Sequence, residues 1–165
     1  MHEGGMVAHG RDRINGDHLF TWQLSIANLK HFAPEGLPSP HFTCLLAVDA
    51  QAIDDRTIGA LAERLLDHGM AYLCVWGPDC RRVHDLVDDV VVLRTIREGW
   101  EHTIMTTWHD DEPLEEAIWF LIHAAYPEEA LPPTCQTRIG IAVANVNWAE
   151  ELYRRFDDAT EYLSP

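Results

Sequence analysis

The fold class is determined by three consecutive segments, FTCLLAVDA (42–50), DDRTIGALAERLLDHG (54–69) and AYLCVWG (71–77). The outer two are nearly continuous apolar runs of strand length, which is typical of strands buried on both faces of a sheet. The middle segment carries its apolar residues on one helical stripe, with Asp at its start and Gly just past its end. Such a strand–helix–strand unit predicts two parallel strands joined by a crossover helix.

Three further strands are predicted downstream, VVVL (90–93), TIMTTWH (103–109) and RIGIAVAN (138–145). A short helix beginning at Pro78 precedes the first of them, and the segment 94–102, which has no helical stripe, predicts a crossover. If the first three strands step outward before the chain crosses back, the sheet order is 3-2-1-4-5 and the domain is a three-layer, Rossmann-like α/β fold. The alternative is a flavodoxin-like order, 2-1-3-4, in which VVVL belongs to a helix.

The two ends of the chain have less regular patterns. Residues 1–18 are rich in glycine and charge, which favours a flexible arm, and 19–165 is long enough for one domain with a single core. The alternation of apolar and polar residues over 20–26 predicts a half-buried strand that could extend an edge of the sheet. Before the last helix, Asn147 and Glu150 have the spacing of a capping box.

The chain is strongly acidic, with 12 Lys and Arg residues against 27 Asp and Glu residues and a formal net charge of −15. A field of this sign repels phosphate backbones and anionic lipids, so it argues against nucleic-acid and membrane binding and favours a basic protein as partner. The sequence has no apolar run long enough to span a membrane and no signal-peptide core, so we expect a cytoplasmic protein. Its four cysteines form no C-x-x-C pair, so no structural zinc site is expected.

Residues suited to ligand binding concentrate where the predicted strands end. In an open parallel sheet, ligands bind outside the carboxyl ends of the strands, at the point where the strand order reverses. The order 3-2-1-4-5 puts that point between the strand ending at Asp49 and the strand ending at His109. The predicted binding cleft contains Asp49, Trp76, Asp79, Cys80, Trp108, His109, Asp110 and Asn145.

Three of these residues, Asp49, Cys80 and His109, are candidates for catalysis. A thiol in the first turn of a helix is activated by the helix dipole, and His84, four residues after Cys80, could act as its base. His109 and Asp49 could form an acid/base pair if the cleft brings them within hydrogen-bond distance. These roles would make the protein a small hydrolase or transferase.

Two less specific roles compete with catalysis at the same edge. Asp and Asn at strand-to-helix turns commonly cap helices, which accounts for Asp54 or Asp55, for Asp111 and for Asn147. In WHDDE (108–112), the imidazole and the carboxylates could bind a divalent metal, but adjacent residues rarely converge on one ion. We therefore expect no metal or other cofactor.

Several common enzyme classes lack their signatures in this sequence. The turn after the first predicted strand, VDAQAIDD (48–55), has no G-x-G-x-x-G, and the sequence contains neither a P-loop nor the G-x-S-x-G of α/β-hydrolases. The one lysine, Lys30, lies far from any glycine-rich loop. A degenerate Rossmann-like nucleotide binder is a third alternative, but it would have few cations to hold a phosphate.

WGPDC (76–80) and TTWHDDEPLEEAIWF (106–120) resemble segments of small bacterial α/β domains that carry no assigned function. The resemblance covers roughly residues 42–160 and implies a stand-alone bacterial domain. It implies nothing about activity, and no functional residue is carried over from it. The charge and the lack of a catalytic signature favour a non-enzymatic binding domain. We expect an acidic protein, such as an inhibitor or immunity-like protein, that engages its partner at the carboxyl ends of its strands.

Overall fold

The computed structural model describes residues 5–128 and 131–160, and it contains a six-stranded sheet with helices on both faces. The strands are β1 (Met6–Arg11), β2 (His18–Leu24), β3 (His41–Ala47), β4 (Met70–Trp76), β5 (Met105–His109) and β6 (Cys135–Val143). The α-helices are α1 (Asp55–Asp67), α2 (Cys80–Glu98), α3 (Leu114–His123) and α4 (Val146–Ala159). Short 3-10 helices occupy Ile26–His31, Ala50–Ala52 and Pro132–Thr134.

The strands lie in the order β1-β2-β6-β3-β4-β5. β1 is antiparallel to β2, and each of the other neighbouring pairs is parallel. α1 and α2 contribute Leu65 and Val83 to the core on one face of the sheet, whereas α3 and α4 contribute Ile118 and Phe156 to the core on the other. The prediction of an α/β fold with a mainly parallel sheet is therefore confirmed.

Both predicted strand orders are wrong, although the alternative correctly assigned VVVL (90–93) to a helix. VVVL (90–93) lies inside α2, which continues to Glu98 and ends at Gly99, a residue in the left-handed conformation with φ 67°. The crossover expected at 94–102 therefore does not form, and α2 leads directly to β5 at the side of β4. The chain returns across the sheet only after β5, through α3, and places β6 on the other side of β3.

The sequence of α2 hides its helical period because apolar residues occur on several of its sides. Val91 is buried, whereas Val92, Leu93 and Ile96 are exposed. A short run of consecutive apolar residues satisfies the pattern of a buried strand as well as that of a helix. Composition alone therefore could not separate the two interpretations.

Two further elements differ from expectation at the ends of the chain. Met6–Arg11, within the segment where we expected a flexible arm, forms β1, and its pairing places β2 inside the sheet and not at an edge. The predicted capping box is wrong, because Asn145 and not Asn147 caps α4. The Asn145 Oδ1 accepts a hydrogen bond from the Trp148 backbone N–H at 3.1 Å. None of the helices in the described residues is long and apolar enough to cross a membrane.

The strands β3, β4, β5 and β6 are parallel and end at the same side of the sheet, which we call the carboxyl edge. The turn after β4 is pressed against the end of β3 at Gly77. This glycine has φ 120°, and a Cβ atom there would lie 2.1 Å from the Val48 carbonyl oxygen. The Ala50 N–H also donates to the Pro78 carbonyl at 3.0 Å. These contacts fix the start of α2 at the carboxyl edge.

We expect Gly77→Ala to lower the free energy of unfolding by at least about 2 kcal/mol, because the new methyl group would overlap Val48 and the φ disfavours any side chain. The control Gly59→Ala lies inside α1, where nothing is within 4 Å of the added Cβ. It should raise stability by about 0.5–1 kcal/mol through helix propensity. Urea unfolding measures both changes, and equal effects would contradict this description of the turn.

Candidate functional site

A cavity of about 500 Å³ opens at the carboxyl ends of β4 and β5. Its walls are the turn after β4, the turn after β5 and the first turn of α4. We call it the strand-end cavity, and it is lined by Trp76, Gly77, Pro78, Asp79, Cys80, Arg81, His109, Asp110, Asp111, Glu112 and Trp148. Cavities of this size hold small ligands or the end of a partner's side chain.

Two indoles form the aromatic wall of the strand-end cavity. The rings of Trp76 and Trp148 meet edge to face, with centroids 5.0 Å apart and an interplanar angle of 86°. The Trp76 Nε1–H donates to the Glu112 backbone carbonyl at 2.8 Å, which fixes the orientation of its ring. Because both residues are only partly buried, part of each indole surface remains available to a ligand.

His109 is buried behind the same cavity, and both of its ring nitrogens have partners. Nδ1 lies 2.6 Å from Glu112 Oε1, and Nε2 is hydrogen-bonded to the Thr107 hydroxyl at 2.9 Å. The ring also packs on Phe120, with centroids 4.8 Å apart. The imidazole therefore holds the turn that follows β5 against the body of the protein.

The order hydroxyl, imidazole, carboxylate in Thr107, His109 and Glu112 matches the order of groups in a hydrolase triad. A nucleophile must face the substrate, however, and Thr107 does not line the strand-end cavity. Its hydroxyl also contacts the side chains of Tyr72 and Cys74, which belong to the core beneath α3. The arrangement is thus a structural hydrogen-bond chain in this conformation.

Carboxylates form the polar wall of the cavity. Asp110 and Asp111 are exposed, and among the described residues their carboxylates make no ion pair or hydrogen bond. The Asp79 carboxylate accepts a hydrogen bond from Arg82 Nε at 2.8 Å, and the Glu112 carboxylate is hydrogen-bonded to His109. Two acidic groups in the turn after β5 are therefore not neutralised by the described residues.

Helix capping does not explain the carboxylates of the strand-end cavity. Outside that cavity, Asp54 does cap α1, because its Oδ1 accepts a hydrogen bond from the Thr57 N–H at 2.8 Å. α3, in contrast, begins after Pro113 with no side-chain cap, so the expectation that Asp111 caps a helix is wrong. Asp79 occupies the cap position of α2 but makes no capping hydrogen bond. Asp110 and Asp111 are therefore available for another role.

Left-handed backbone conformations occur in three of the turns at the carboxyl edge. The non-glycine residues with positive φ in the described residues are Asp79 (φ 62°), Asp111 (φ 56°) and Ala144 (φ 51°). Each follows the end of a different strand, β4, β5 or β6. Such conformations cost about 1–2 kcal/mol for a residue like alanine, and they are frequent at functional sites.

Cys80 contributes to the cavity lining but is not positioned as a nucleophile. The residue is only 2% exposed, and it belongs to the core cluster between the sheet and helices α1 and α2. Burial raises the pKa of its thiol, and a backbone hydrogen bond from His109 opposes that shift. The proposed base, His84, interacts instead with Asp85 and Asp88, at 3.0 and 3.5 Å.

Trp108 lies on the opposite face of the sheet from Trp76. β4 and β5 pair in parallel with Trp76 beside His109 and Val75 beside Trp108, and successive side chains of a strand alternate between faces. Trp108 is 40% exposed and packs on His84 and under the guanidinium of Arg81. It does not line the strand-end cavity.

A second cavity, of about 260 Å³, lies at the carboxyl ends of β3 and β6. We call it the switch-point cavity, because the chain connections leave these two strands in opposite directions. It is lined by Ile26, Asp49, Ala52, Pro78, Val143, Ala144, Asn145 and Trp148. β4 lies between β3 and β5, so Asp49 and His109 are not neighbours and line different cavities.

The predicted cleft residues are thus divided between two cavities and an outer face. The strand-end cavity contains Trp76, Asp79, Cys80, His109 and Asp110, the switch-point cavity contains Asp49 and Asn145, and Trp108 lies outside both.

Sequence reasoning missed Trp148, which lines both cavities. The signal was an aromatic residue in the first turn after a predicted strand, where a ligand site was already expected. Within the described residues, no group of His, Cys, Asp and Glu side chains is arranged to hold a metal ion.

We expect His109→Ala to lower the free energy of unfolding by about 2–3 kcal/mol, because it removes a buried ring together with its hydrogen bonds to Thr107 and Glu112. The control His31→Ala, at an exposed position, should change it by less than about 0.5 kcal/mol. Thermal and urea unfolding measure both. An unchanged stability of His109→Ala would contradict the structural role described for the imidazole.

Comparison with protein families places the chain in a known group. A family model described as "Domain of unknown function (DUF7684)" matches residues 26–159, a range that contains every residue lining the two cavities. No curated protein and no solved structure matched the chain. The expectation of a domain without an assigned function is confirmed at this level. The chain belongs to the DUF7684 family.

Proposed function

We propose that this protein is a binding domain that recognises a cationic side chain, Arg or Lys, of a basic partner protein in the strand-end cavity. The observation that carries the proposal is the pairing of two unneutralised carboxylates, Asp110 and Asp111, with two indoles set edge to face, Trp76 and Trp148. Cations bind both to carboxylates and to the faces of indole rings.

The cations near the cavity support the proposal because they are engaged elsewhere. Arg82 is bonded to Asp79, Asp55 and the backbone carbonyls of Ala50 and Ile53. Arg81 lies 5.4 Å from the ring centroid of Trp108, on the outer face. The cavity lining has four acidic residues and one arginine, and the chain carries a net charge of −15. Such a field speeds the encounter with a basic partner and opposes an anionic one.

The alternatives have less support. A hydrolase or transferase would need a nucleophile beside a base, whereas Cys80 belongs to the core on one face of the sheet and the His109 ring packs on Phe120 on the other. A nucleotide binder would have to place phosphates beside Asp110 and Asp111, which repel them. A binding domain needs neither a nucleophile nor a phosphate site, and it accounts for the carboxylates and indoles of the strand-end cavity.

The cavity should distinguish arginine from its neutral analogue. Titration with N-acetyl-arginine amide, followed by NMR chemical shifts, should perturb the indole N–H of Trp148 and the backbone of 110–112. N-acetyl-citrulline amide has nearly the same shape without the charge, and we expect it to bind at least about tenfold more weakly. Equal binding of the two compounds would refute charge recognition.

A charge-matched pair of variants tests the position of the site. Asp110→Asn with Asp111→Asn should weaken arginine-amide binding by about tenfold, and Asn is well suited to the left-handed conformation of Asp111. The control, Asp89→Asn with Asp158→Asn, changes the net charge equally at exposed positions outside the cavity. It should leave affinity nearly unchanged. If both pairs weaken binding to the same extent, only the overall charge matters and the cavity is not the site.

A further inference from the structure

We propose that the strand-end cavity and the switch-point cavity form one groove for an extended peptide segment of the partner. The basic side chain enters the strand-end cavity, and a neighbouring aliphatic side chain of the same segment enters the switch-point cavity. The inference rests on the proposed function for the first cavity and adds a second, apolar position of recognition.

The two cavities share walls. Pro78 and Trp148 line both of them, so two compartments of about 500 and 260 Å³ adjoin at one edge of the sheet. Trp148 is held there because its backbone N–H donates to Asn145 and its ring contacts Trp76. A ligand that fills both compartments must run past Pro78 and Trp148, and we expect a narrow extended chain to fit this path.

The chemistry of the two compartments differs. Four carboxylate residues line the first. The second is lined mainly by apolar side chains, Ile26, Ala52, Pro78 and Val143 together with Ala144. Ile26 is also exposed, although an isoleucine gains free energy when it is covered. The switch-point cavity therefore suits a branched aliphatic side chain better than a second cation.

Its two polar residues complement a peptide backbone. Asp49 Oδ1 accepts from the Gln51 N–H at 3.0 Å, and Asn145 Oδ1 accepts from the Trp148 N–H at 3.1 Å. Within the described residues, Asp49 Oδ2 and Asn145 Nδ2 make no further hydrogen bond. One carboxylate oxygen can accept from a peptide N–H, and one amide can donate to a peptide carbonyl. A peptide presents these two groups at every residue, whereas an isolated amine or aliphatic ligand does not.

Short capped peptides test the inference. The probes contain one Arg and one Leu separated by zero to three glycines, and the controls replace Leu with Gly. For at least one spacing, we expect an affinity about tenfold higher than that of the matched Gly control, because the leucine side chain is removed from water. If every Leu peptide binds like its Gly control while N-acetyl-arginine amide still binds, the groove inference is overturned and the proposed function stands.

Ala52→Leu changes the switch-point cavity and leaves the strand-end cavity intact, because Ala52 lines only the former. The residue is exposed and lies outside the α-helices and strands, so the larger side chain should not disturb the core. The larger side chain should abolish the gain from the peptide leucine and leave the affinity for N-acetyl-arginine amide unchanged. Persistence of the gain in Ala52→Leu would place the leucine elsewhere and overturn the inference. If no arginine probe binds the wild-type protein, the proposed function fails and the groove inference fails with it.

Discussion

Two hydrogen bonds to one residue, Glu112, determine the shape of the carboxyl edge. The Trp76 indole N–H donates to the Glu112 backbone carbonyl, and the His109 imidazole is hydrogen-bonded to the Glu112 carboxylate. The turn after β5 is therefore fixed from two adjacent strands, and Asp110 and Asp111, which precede Glu112, are left at the surface of the cavity. Charge–charge repulsion would otherwise favour a turn that moves these acids apart. The proposed cation site depends on this fixed turn.

The strand order brings Trp148 to the aromatic wall of the strand-end cavity. Because the chain crosses back only after β5, β6 lies beside β3, and α4 starts at the same edge at which β4 and β5 end. Gly140 on β6 allows this approach, since a Cβ there would lie 2.8 Å from the ring of Phe156 on α4. Trp148 thus reaches Trp76 from a segment far away in sequence. The aromatic wall is a consequence of topology and not of a local motif.

The sequence predicted the α/β fold, the five strands β2 to β6 and the edge at which polar residues gather, because strand and helix periods are local properties. It could not give the strand order, since VVVL in α2 fits two periods and no local pattern specifies where a strand pairs. The sequence analysis also placed Trp108 and Trp76 in one binding cleft. The register of β4 and β5 instead puts the two side chains on opposite faces of the sheet. Trp148 was missed because its contact with Trp76 depends on the position of β6.

The proposed binding of a cationic side chain in the strand-end cavity, against Trp76 and Trp148, is tested most directly by fluorine NMR of protein labelled with fluorotryptophan. The chain has six tryptophans, so each resonance can be assigned by single Trp→Phe substitutions. Saturating N-acetyl-arginine amide should shift the resonances of Trp76 and Trp148 and leave those of the exposed Trp108 and Trp119 in place. Shifts confined to Trp108 or Trp119, or no shift at Trp76 and Trp148, would contradict the account.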